Sequence, residues 1–327
     1  MEFPVRKVVM TGGTSGIGLA LIRRLLEEKI EILMLRRKIT SRAMELPEHE
    51  LLHVEYCALE ELRDYVPRGS DYDVFFHLGW GKTSPEERNN IVLQMKNVEY
   101  SCEAVKLAYR CGCHTFIGTG SQAEYGRHDE VLAPNTLCTP ENAYGVMKLC
   151  SCHSTRILCR DYGIRHIWTR ILSAYGTYDG MRTMLTSMIM KGLEGEKLEF
   201  SSGEQIWDFL YFDDLANALY LLAKKGKDGV IYPISSGKAR PLKEFIHILC
   251  EKLGRLEDME LGKIPYADSQ IMHLEADISR LQEDTGWEPQ VEFEDGIERV
   301  IEFYKEWKPR WEQKYNELRK EVEYEDL

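Results

Sequence analysis

The chain has 327 residues, of which 43% are hydrophobic, and its formal net charge at pH 7 is −12. This length supports a substantial core in one large or two modest domains, and the acidic balance argues against sequence-independent binding of nucleic acid. The sequence contains no apolar run of about 18 residues, the length that a membrane-spanning helix needs.

The N-terminal residues lack the basic and apolar regions of a signal peptide, so we expect a cytoplasmic protein with reduced cysteines. Cys111-Gly-Cys113 and Cys150-Ser-Cys152 do not have the spacing of a zinc site. No metal is therefore predicted.

The first half of the chain alternates short apolar runs with helical patterns. Strands are predicted at Lys7–Met10, Glu31–Leu35, His53–Tyr56, Asp73–Leu78, His114–Gly118 and Arg165–Thr169, and helices at Leu19–Glu28, from about Glu86 to Arg110, and at Tyr144–Tyr162. Strands separated by helices indicate βαβ units, and right-handed crossovers place helices on both faces of a parallel sheet. We therefore predict an α/β fold, a Rossmann-type doubly wound parallel sheet in residues 1–172. A smaller α/β substrate lobe follows in residues 173–327, with some strands and helices returning to the sheet.

The second half contains a Met-rich segment, Thr183–Glu194, with a helical pattern. Nearer the C-terminus, Phe303, Trp307 and Trp311 recur at helix-like spacing. Stripes of this kind are typical of packing surfaces rather than of cofactor sites.

A glycine-rich turn, Thr11-Gly-Gly-Thr-Ser-Gly-Ile-Gly18, follows the first predicted strand and opens the first helix. In this context such a turn binds the pyrophosphate of a dinucleotide, because glycines allow close approach and the helix N-terminus offers N–H donors. The predicted cofactor contacts of the turn are Gly12, Thr14, Ser15, Gly16, Ile17 and Gly18.

The end of the second predicted strand discriminates between NAD and NADP. An acid there would hydrogen-bond the ribose 2′-hydroxyl and repel a 2′-phosphate, but this chain has Leu35-Arg36-Arg37-Lys38. Because arginine presents a fork of donors that suits a phosphate, Arg36 and Arg37 favour NADP over NAD. A solvated basic loop is the alternative interpretation.

A phenol and an ammonium lie four residues apart in Tyr144-Gly-Val-Met-Lys148, on one face of a predicted helix. A free tyrosine has a pKa near 10 and is a poor base at neutral pH, whereas a nearby cation stabilises the phenolate. Ser121 follows the fifth predicted strand. We predict that Ser121, Tyr144 and Lys148 are the catalytic residues.

These motifs together resemble the extended branch of the short-chain dehydrogenase/reductase superfamily, the NAD-dependent epimerase/dehydratase (nucleotide-sugar) family. The glycine-rich turn, Gly120-Ser-Gln-Ala-Glu-Tyr-Gly126 and the Tyr144–Lys148 motif carry the resemblance, which spans about residues 5–225. It implies that Ser121 hydrogen-bonds the reacting oxygen and that Asn97 is a buried structural residue. Further implied cofactor contacts are Leu78, Gly79, Trp80, Lys82 and Lys148, and implied substrate contacts are Gln122, Glu124, Ser173 and Trp207.

The chain departs from this family's pattern at the substrate side. Trp207 stands where sugar-nucleotide enzymes often have an arginine that binds the diphosphate, and Ser173 stands in place of an asparagine. Trp207 either stacks on a base or sugar ring or packs in the core. Arg182, Lys191 and Arg240 are spare cations for the diphosphate, and the sequence singles out none of them.

The resemblance implies an oxidoreductase that acts on a nucleotide-sugar. Arg36 and Arg37 favour an NADPH-dependent reductase of a 4-keto or 4-keto-6-deoxy sugar nucleotide, which would supply building blocks for surface polysaccharide. An NAD-dependent sugar-nucleotide 4-epimerase is the alternative. A 4,6-dehydratase is disfavoured because the usual acid pair after the catalytic serine is missing from Gln122-Ala123-Glu124.

A non-catalytic dinucleotide-sensing protein is a remoter alternative, since both Tyr144 and Lys148 are present. By analogy with the family we expect a homodimer that pairs through the helices at residues 89–110 and 144–162. We expect neither nucleic acid nor membrane as a partner.

Overall fold

Seven parallel strands form the central sheet of the computed structural model, which describes residues 2–38 and 45–307. The strands of the chain are β1 (Lys7–Thr11), β2 (Glu31–Arg36), β3 (Leu52–Tyr56), β4 (Val74–His77), β5 (Thr115–Ser121), β6 (Arg165–Ile171), β7 (Ser173–Tyr175), β8 (Leu198–Glu199), β9 (Ile206–Trp207), β10 (Phe209–Tyr211), β11 (Val230–Ile234), β12 (Arg240–Pro241) and β13 (Met259–Glu260). The order in the sheet is β11-β6-β5-β4-β1-β2-β3, so the predicted Rossmann-type fold is confirmed.

The helices are α1 (Gly16–Glu27), α2 (Pro85–Arg88), α3 (Ile91–Arg110), α4 (Ala143–Tyr162), α5 (Met184–Leu193), α6 (Phe212–Lys225), α7 (Leu242–Leu253), α8 (Ser279–Thr285) and α9 (293–307). One face of the sheet is covered by α1, α6 and α8, and the other by α3 and α4. Because both faces are covered, β4, β5 and β6 are buried along their whole length. This burial explains why their sequences lack a regular alternation of apolar and polar residues.

The strand order reverses between β1 and β4, and the connections leave the sheet in opposite directions there. In such sheets the crevice outside the carboxyl ends of the strands binds the ligand. β5 and β6 pair over their full length, so that Ser121 lies beside Ile171 at the same carboxyl edge.

The helix predicted from about Glu86 to Arg110 is in fact two helices. The chain leaves the helical path at Asn89 and Asn90, and the Asn90 side chain accepts a hydrogen bond of 3.2 Å from the Leu93 N–H. An asparagine that caps the N-terminus of α3 in this way competes with helical continuation. The prediction of one long helix was therefore wrong at this junction.

The second lobe surrounds its own apolar cluster, which α5, α7 and α9 form with β8 and β10. Phe303 and Trp307 of α9 stack with ring centroids 5.8 Å apart, which confirms packing for these two; Trp311 lies outside the described residues.

β11 pairs with β6, and α6 packs against α1, so residues beyond 172 also build the sheet domain. The domain division at residue 172 stays a prediction. No helix in the described ranges is long and apolar enough to cross a bilayer.

Candidate active site

The glycine-rich turn lies at the carboxyl end of β1, against the end of β4. Gly12 has a φ of 78°, and a Cβ there would lie 2.6 Å from the Leu78 carbonyl carbon, so only glycine is accommodated. Ser15 caps α1: its Oγ accepts from the Gly18 N–H at 3.0 Å and donates to the Gly12 carbonyl at 2.9 Å. This closed turn, with the N-terminus of α1 above it, is a cradle that fits a pyrophosphate.

A buried chain of hydrogen bonds joins β1 to β4 beside this turn. Thr11 Oγ1 lies 2.9 Å from His77 Nδ1, and His77 Nε2 lies 3.1 Å from Ser101 Oγ. Burial lowers the pKa of His77 to about 3, so the ring is neutral. The Gly79 N–H donates to Thr11 Oγ1 at 3.2 Å, and this bond holds the predicted cofactor residues Leu78 and Gly79 against the turn.

Arg36 is the last residue of β2, at the edge where a dinucleotide ribose lies in this fold. Its guanidinium carbon lies 4.7 Å from the centroid of the Tyr56 ring, and it donates to the carbonyls of Arg37 and Lys38 at 3.0 and 2.9 Å. Its buried Nε has no hydrogen-bond partner among the described residues. The side chain of Arg37 is exposed. These basic groups fit a phosphate at the end of β2.

The three predicted catalytic residues meet at the carboxyl edge of the sheet. Ser121 ends β5, Tyr144 is the second residue of α4, and Lys148 follows one helical turn later. The buried Lys148 ammonium donates to the Thr119 carbonyl at 2.5 Å. Burial raises the pKa of Tyr144, whereas the positive charge of Arg88 and a hydrogen bond with Ser121 lower it.

The start of α4 is held in place from three sides. The Asn142 side chain caps the helix by accepting from the Gly145 N–H at 2.8 Å, and Asn89 accepts from the Ala143 N–H at 3.0 Å. A Cβ at Gly145 would collide with the carbonyl of Ala123. The tyrosine next to these contacts therefore has a fixed position relative to β5.

Trp80, a predicted cofactor residue, lies inside the catalytic cluster. Its ring centroid is 3.9 Å from the Lys148 Nζ and 5.8 Å from the Tyr144 ring centroid, edge to face. The Trp80 indole donates to Gln94 Oε1 at 2.9 Å, which fixes the ring. Trp80 therefore shields the lysine from solvent.

The same loop contains two further predicted residues. Asn97 is buried and holds Gly81, accepting from its N–H at 2.7 Å and donating to its carbonyl at 3.1 Å, so its predicted structural role is confirmed. Lys82 is exposed and pairs with Glu87 at 2.9 Å. Its contact with the cofactor stays a prediction.

The interpretation of Glu124 as a substrate contact needs correction. Its side chain is fully buried, and it accepts hydrogen bonds from the Ser121 N–H at 3.0 Å, the Trp168 indole at 3.1 Å and the Arg170 Nε at 2.8 Å. Both carboxylate oxygens are thus engaged within the protein, between β5 and β6. Glu124 positions Ser121 instead of meeting a substrate. Gln122, in contrast, is half-buried and accepts from the Ser121 hydroxyl at 3.0 Å.

A cavity of about 410 Å³ lies in the second lobe, between β7, β9, α5 and α7. The predicted substrate residues Ser173 and Trp207 both line it. Ser173 follows β6 by two residues, and the end of β6 pairs with Ser121, so this cavity begins close to the catalytic edge. The structure therefore brings these two predicted substrate residues together on one wall.

The described lining of this cavity includes two acids, Asp179 and Glu199, and no lysine or arginine. Arg182 is paired with Glu86 at 3.3 Å and Arg240 with Glu294 at 2.9 Å. The third spare cation, Lys191, is exposed on α5. None of the three cations considered for a diphosphate lines the cavity.

Residues that the sequence motifs did not identify complete the site. The guanidinium carbon of Arg88 lies 4.1 Å from the centroid of the Tyr144 ring. Gln94 links Trp80 to the carbonyl of Lys82 at 2.6 Å. Neither residue belongs to a motif with fixed spacing, so the sequence pattern gave no signal for either of them.

Comparison with known proteins places this architecture in a known group. Residues 8–235 match the profile of the NAD dependent epimerase/dehydratase family. The chain is 24% identical over 344 residues to a dTDP-glucose 4,6-dehydratase of Neisseria meningitidis serogroup B, which covers 95% of this chain and 97% of that protein. It is 30% identical over 181 residues to a dTDP-glucose 4,6-dehydratase of Shigella flexneri, and there the match spans half of the relative's length.

Solved structures share the fold at lower identity. A dTDP-glucose 4,6-dehydratase from Streptomyces venezuelae, solved with NAD bound, has a TM-score of 0.83 at 20% identity and covers 94% of this chain and 99% of its own. A UDP-glucose 4-epimerase from Thermotoga maritima has a TM-score of 0.82 at 20% identity, with coverage of 91% and 98%.

The substitution Glu124→Gln tests the positioning role of this carboxylate. It leaves the Arg170 guanidinium buried without a counter-charge, so we expect the free energy of unfolding to fall by about 3–5 kcal/mol. Chemical denaturation measures this change. Glu141→Gln is the matched control because Glu141 pairs with Arg127 at 2.8 Å on the surface, where the loss should stay below about 1 kcal/mol. Equal losses in the two variants would contradict the assignment.

Proposed function

The chain belongs to the NAD dependent epimerase/dehydratase family, a family of short-chain dehydrogenase-type enzymes, and we propose that it is an NADPH-dependent reductase. Its proposed substrate is a 4-keto or 4-keto-6-deoxy sugar nucleotide, and its product the corresponding 4-hydroxy sugar. In the same proposal, the enzyme acts in the cytoplasm and its product is a building block for surface polysaccharide. The observation that carries it is the chemistry of the residues that follow Ser121.

A dehydratase must protonate a leaving hydroxyl and remove a second proton, in addition to the redox step. The two residues after Ser121 are Gln122 and Ala123, and neither side chain can transfer a proton. Glu124 is engaged with Arg170 in the core. The site therefore supports proton transfer at one substrate oxygen, the one that would face Ser121 and Tyr144. Carbonyl reduction requires proton transfer at one oxygen.

The proposed step adds a hydride to the substrate carbonyl carbon and a proton to its oxygen. A bound nicotinamide cofactor supplies the hydride. Ser121 and Tyr144 hydrogen-bond the carbonyl oxygen, and Tyr144 donates its phenolic proton as negative charge develops there. In this proposal Lys148, which donates to the Thr119 carbonyl, contributes to stabilising the remaining phenolate and holds the cofactor ribose.

The choice of NADPH is supported by the basic end of β2. Arg36 has a buried Nε without a described partner, and Arg37 is exposed beside it. Their positive charge would attract a 2′-phosphate, whereas an acid at this position would repel one. A cofactor from the reducing NADPH pool suits net reduction.

The alternative function is a 4-epimerase. In that reaction the same Tyr144 would remove and return one proton while NAD stays bound.

We propose that the nucleoside part of the substrate occupies the cavity of the second lobe. Trp207 offers a ring for stacking, and Tyr266 and Gln205, joined by a hydrogen bond of 2.7 Å, offer polar groups. Because the described lining has no lysine or arginine, the diphosphate gains little from ion pairing there. Stacking and neutral hydrogen bonds supply most of the affinity in this proposal.

We also propose a homodimer through α3 and α4. Val105 and Ala108 of α3 pack against the sheet and are not available to a partner. The outer faces nevertheless carry exposed apolar side chains, namely Ile91, Val92 and Met95 on α3 and Val146 and Ile157 on α4. Two such helices from each subunit can form a four-helix bundle.

Cofactor preference tests the reductase proposal. Purified protein is denatured to identify any released nucleotide, and NADPH and NADH are titrated into stripped protein. We expect tighter NADPH binding, weakened about 10- to 100-fold in the double variant Arg36→Ala, Arg37→Ala because charge-assisted phosphate contacts are lost. Lys38→Ala is the matched control and should change the affinity little. Stoichiometric co-purified NAD, with no preference for NADPH, would reject the reductase and favour the epimerase.

The cavity chemistry predicts a weak salt dependence of substrate binding. Trp207→Arg removes the stacking ring and adds a cation to the cavity wall, so relative to Trp207→Gln we expect a lower Kd for nucleoside diphosphates and a steeper rise of Kd with ionic strength. Trp207→Gln controls for loss of the ring without added charge. Calorimetric titrations at several salt concentrations measure both properties. A steep salt dependence in the unmodified protein would show that another cation already binds the diphosphate.

The dimer proposal predicts that a charge on the outer face of α3 separates the subunits. Met95 is 56% exposed, and Met95→Asp buries a carboxylate in the proposed interface, so we expect a monomer by analytical ultracentrifugation. Val66→Asp is the control, since Val66 is 81% exposed and lies outside both helices. A Met95→Asp protein that remains dimeric would place the interface elsewhere.

A further inference from the structure

Arg88 is the last residue of α2. Within the described ranges its side chain forms no hydrogen bond and no ion pair, and its guanidinium carbon lies 4.1 Å from the centroid of the Tyr144 ring. The acids nearest to it in the chain are taken by other cations, because Glu87 pairs with Lys82 at 2.9 Å and Glu86 with Arg182 at 3.3 Å. The positive charge of Arg88 therefore lies against the Tyr144 ring without a neutralising acid among the described residues.

The segment that carries Arg88 is anchored on both sides. Ser84 caps α2 by accepting from the Glu87 N–H at 3.3 Å, and the Gln94 amide donates to the Glu87 carbonyl at 3.2 Å. Immediately after Arg88, Asn89 accepts from the Ala143 N–H at the start of α4. The break between α2 and α3 is therefore tied to the helix that carries Tyr144, and the stack is a built feature of the fold.

The Tyr-x-x-x-Lys spacing points to the lysine as the source of the stabilising charge, but Lys148 lies farther from the Tyr144 ring than Arg88 does. The Lys148 Nζ is 5.8 Å from the Tyr144 ring centroid and is shared between the Thr119 carbonyl and the Trp80 ring. Burial lowers the pKa of Lys148, which weakens its hold on a proton. An arginine stays charged at every working pH.

The other charged groups around Tyr144 do not replace Arg88. Glu124, the acid that faces the tyrosine from the turn after β5, is neutralised by Arg170 at 2.8 Å. Ser121 offers a hydroxyl and no charge. Of the two cations that the described residues place near the Tyr144 ring, Arg88 is the permanently charged one and lies nearer to the ring centroid.

We propose that Arg88 is a positioning residue of the catalytic site, whose guanidinium holds the Tyr144 ring and stabilises its phenolate. When Tyr144 gives its proton to the substrate oxygen, the O–H bond of the phenol breaks and that of the product alcohol forms. The negative charge left on the phenolate lies under Arg88 until solvent returns a proton. The inference rests on the proposed role of Tyr144 as the proton donor.

Titration of the phenol tests this without a substrate. Ultraviolet absorbance of the phenolate is followed against pH in protein saturated with NADP, and the curve of the matching Tyr144→Phe protein is subtracted. In Arg88→Met we expect the apparent pKa of Tyr144 to rise by about 1 to 3, the effect of removing an opposite charge at this distance. Arg88→Lys should restore part of the difference. Arg182→Met, which removes an exposed cation, should leave it unchanged.

Turnover in the oxidative direction provides the second readout, with the product alcohol and NADP as substrates. Rates that need the phenolate rise with pH, so Arg88→Met should move this rise to higher pH and recover activity in alkaline buffer. A defect of folding would instead lower the rate equally at every pH. Identical titration midpoints in Arg88→Met and the unmodified protein would overturn the inference. Failure of the protein to act on sugar nucleotides would reject the proposed function and leave the phenol titration interpretable.

Discussion

The buried carboxylate of Glu124 is the interaction on which the catalytic edge depends. It joins the backbone N–H of Ser121 to Trp168 and Arg170, and so connects the end of β5 to β6. Gly120 is required beside it, because a Cβ there would collide with the Glu124 oxygen. A buried ion pair of this kind gives little net stability, but its loss is costly, and it fixes one arrangement of the strands that meet at the site.

The electrostatics of the site follow from burial combined with a small number of charges. Lys148 and Tyr144 lie under Trp80, and burial disfavours the charged form of both groups. A positive charge close to the phenol makes it easier for the phenol to release a proton. Arg88 supplies that charge through a stack rather than through a hydrogen bond, which leaves the phenolic oxygen free for a substrate.

The two parts of the candidate site are built differently. The glycine-rich turn depends on backbone geometry, namely the φ of Gly12, the Ser15 cap and the bond from Gly79 to Thr11. The cavity of the second lobe is lined by side chains, with an aromatic ring at Trp207, acids at Asp179 and Glu199, and no lysine or arginine among its described lining. In the proposed function, these side chains decide which substrate binds.

The sequence alone determined the features that depend on local pattern and short spacing. These features are strands β1 to β6, the glycine-rich turn and the four-residue spacing from Tyr144 to Lys148. They follow from the local sequence because hydrophobic period and backbone geometry are local properties. Tertiary structure decided the rest. The burial of Glu124 against Arg170 and the stack of Arg88 on Tyr144 each join segments that are distant in the chain. Such contacts depend on how the packed elements approach one another, and no local pattern encodes that approach.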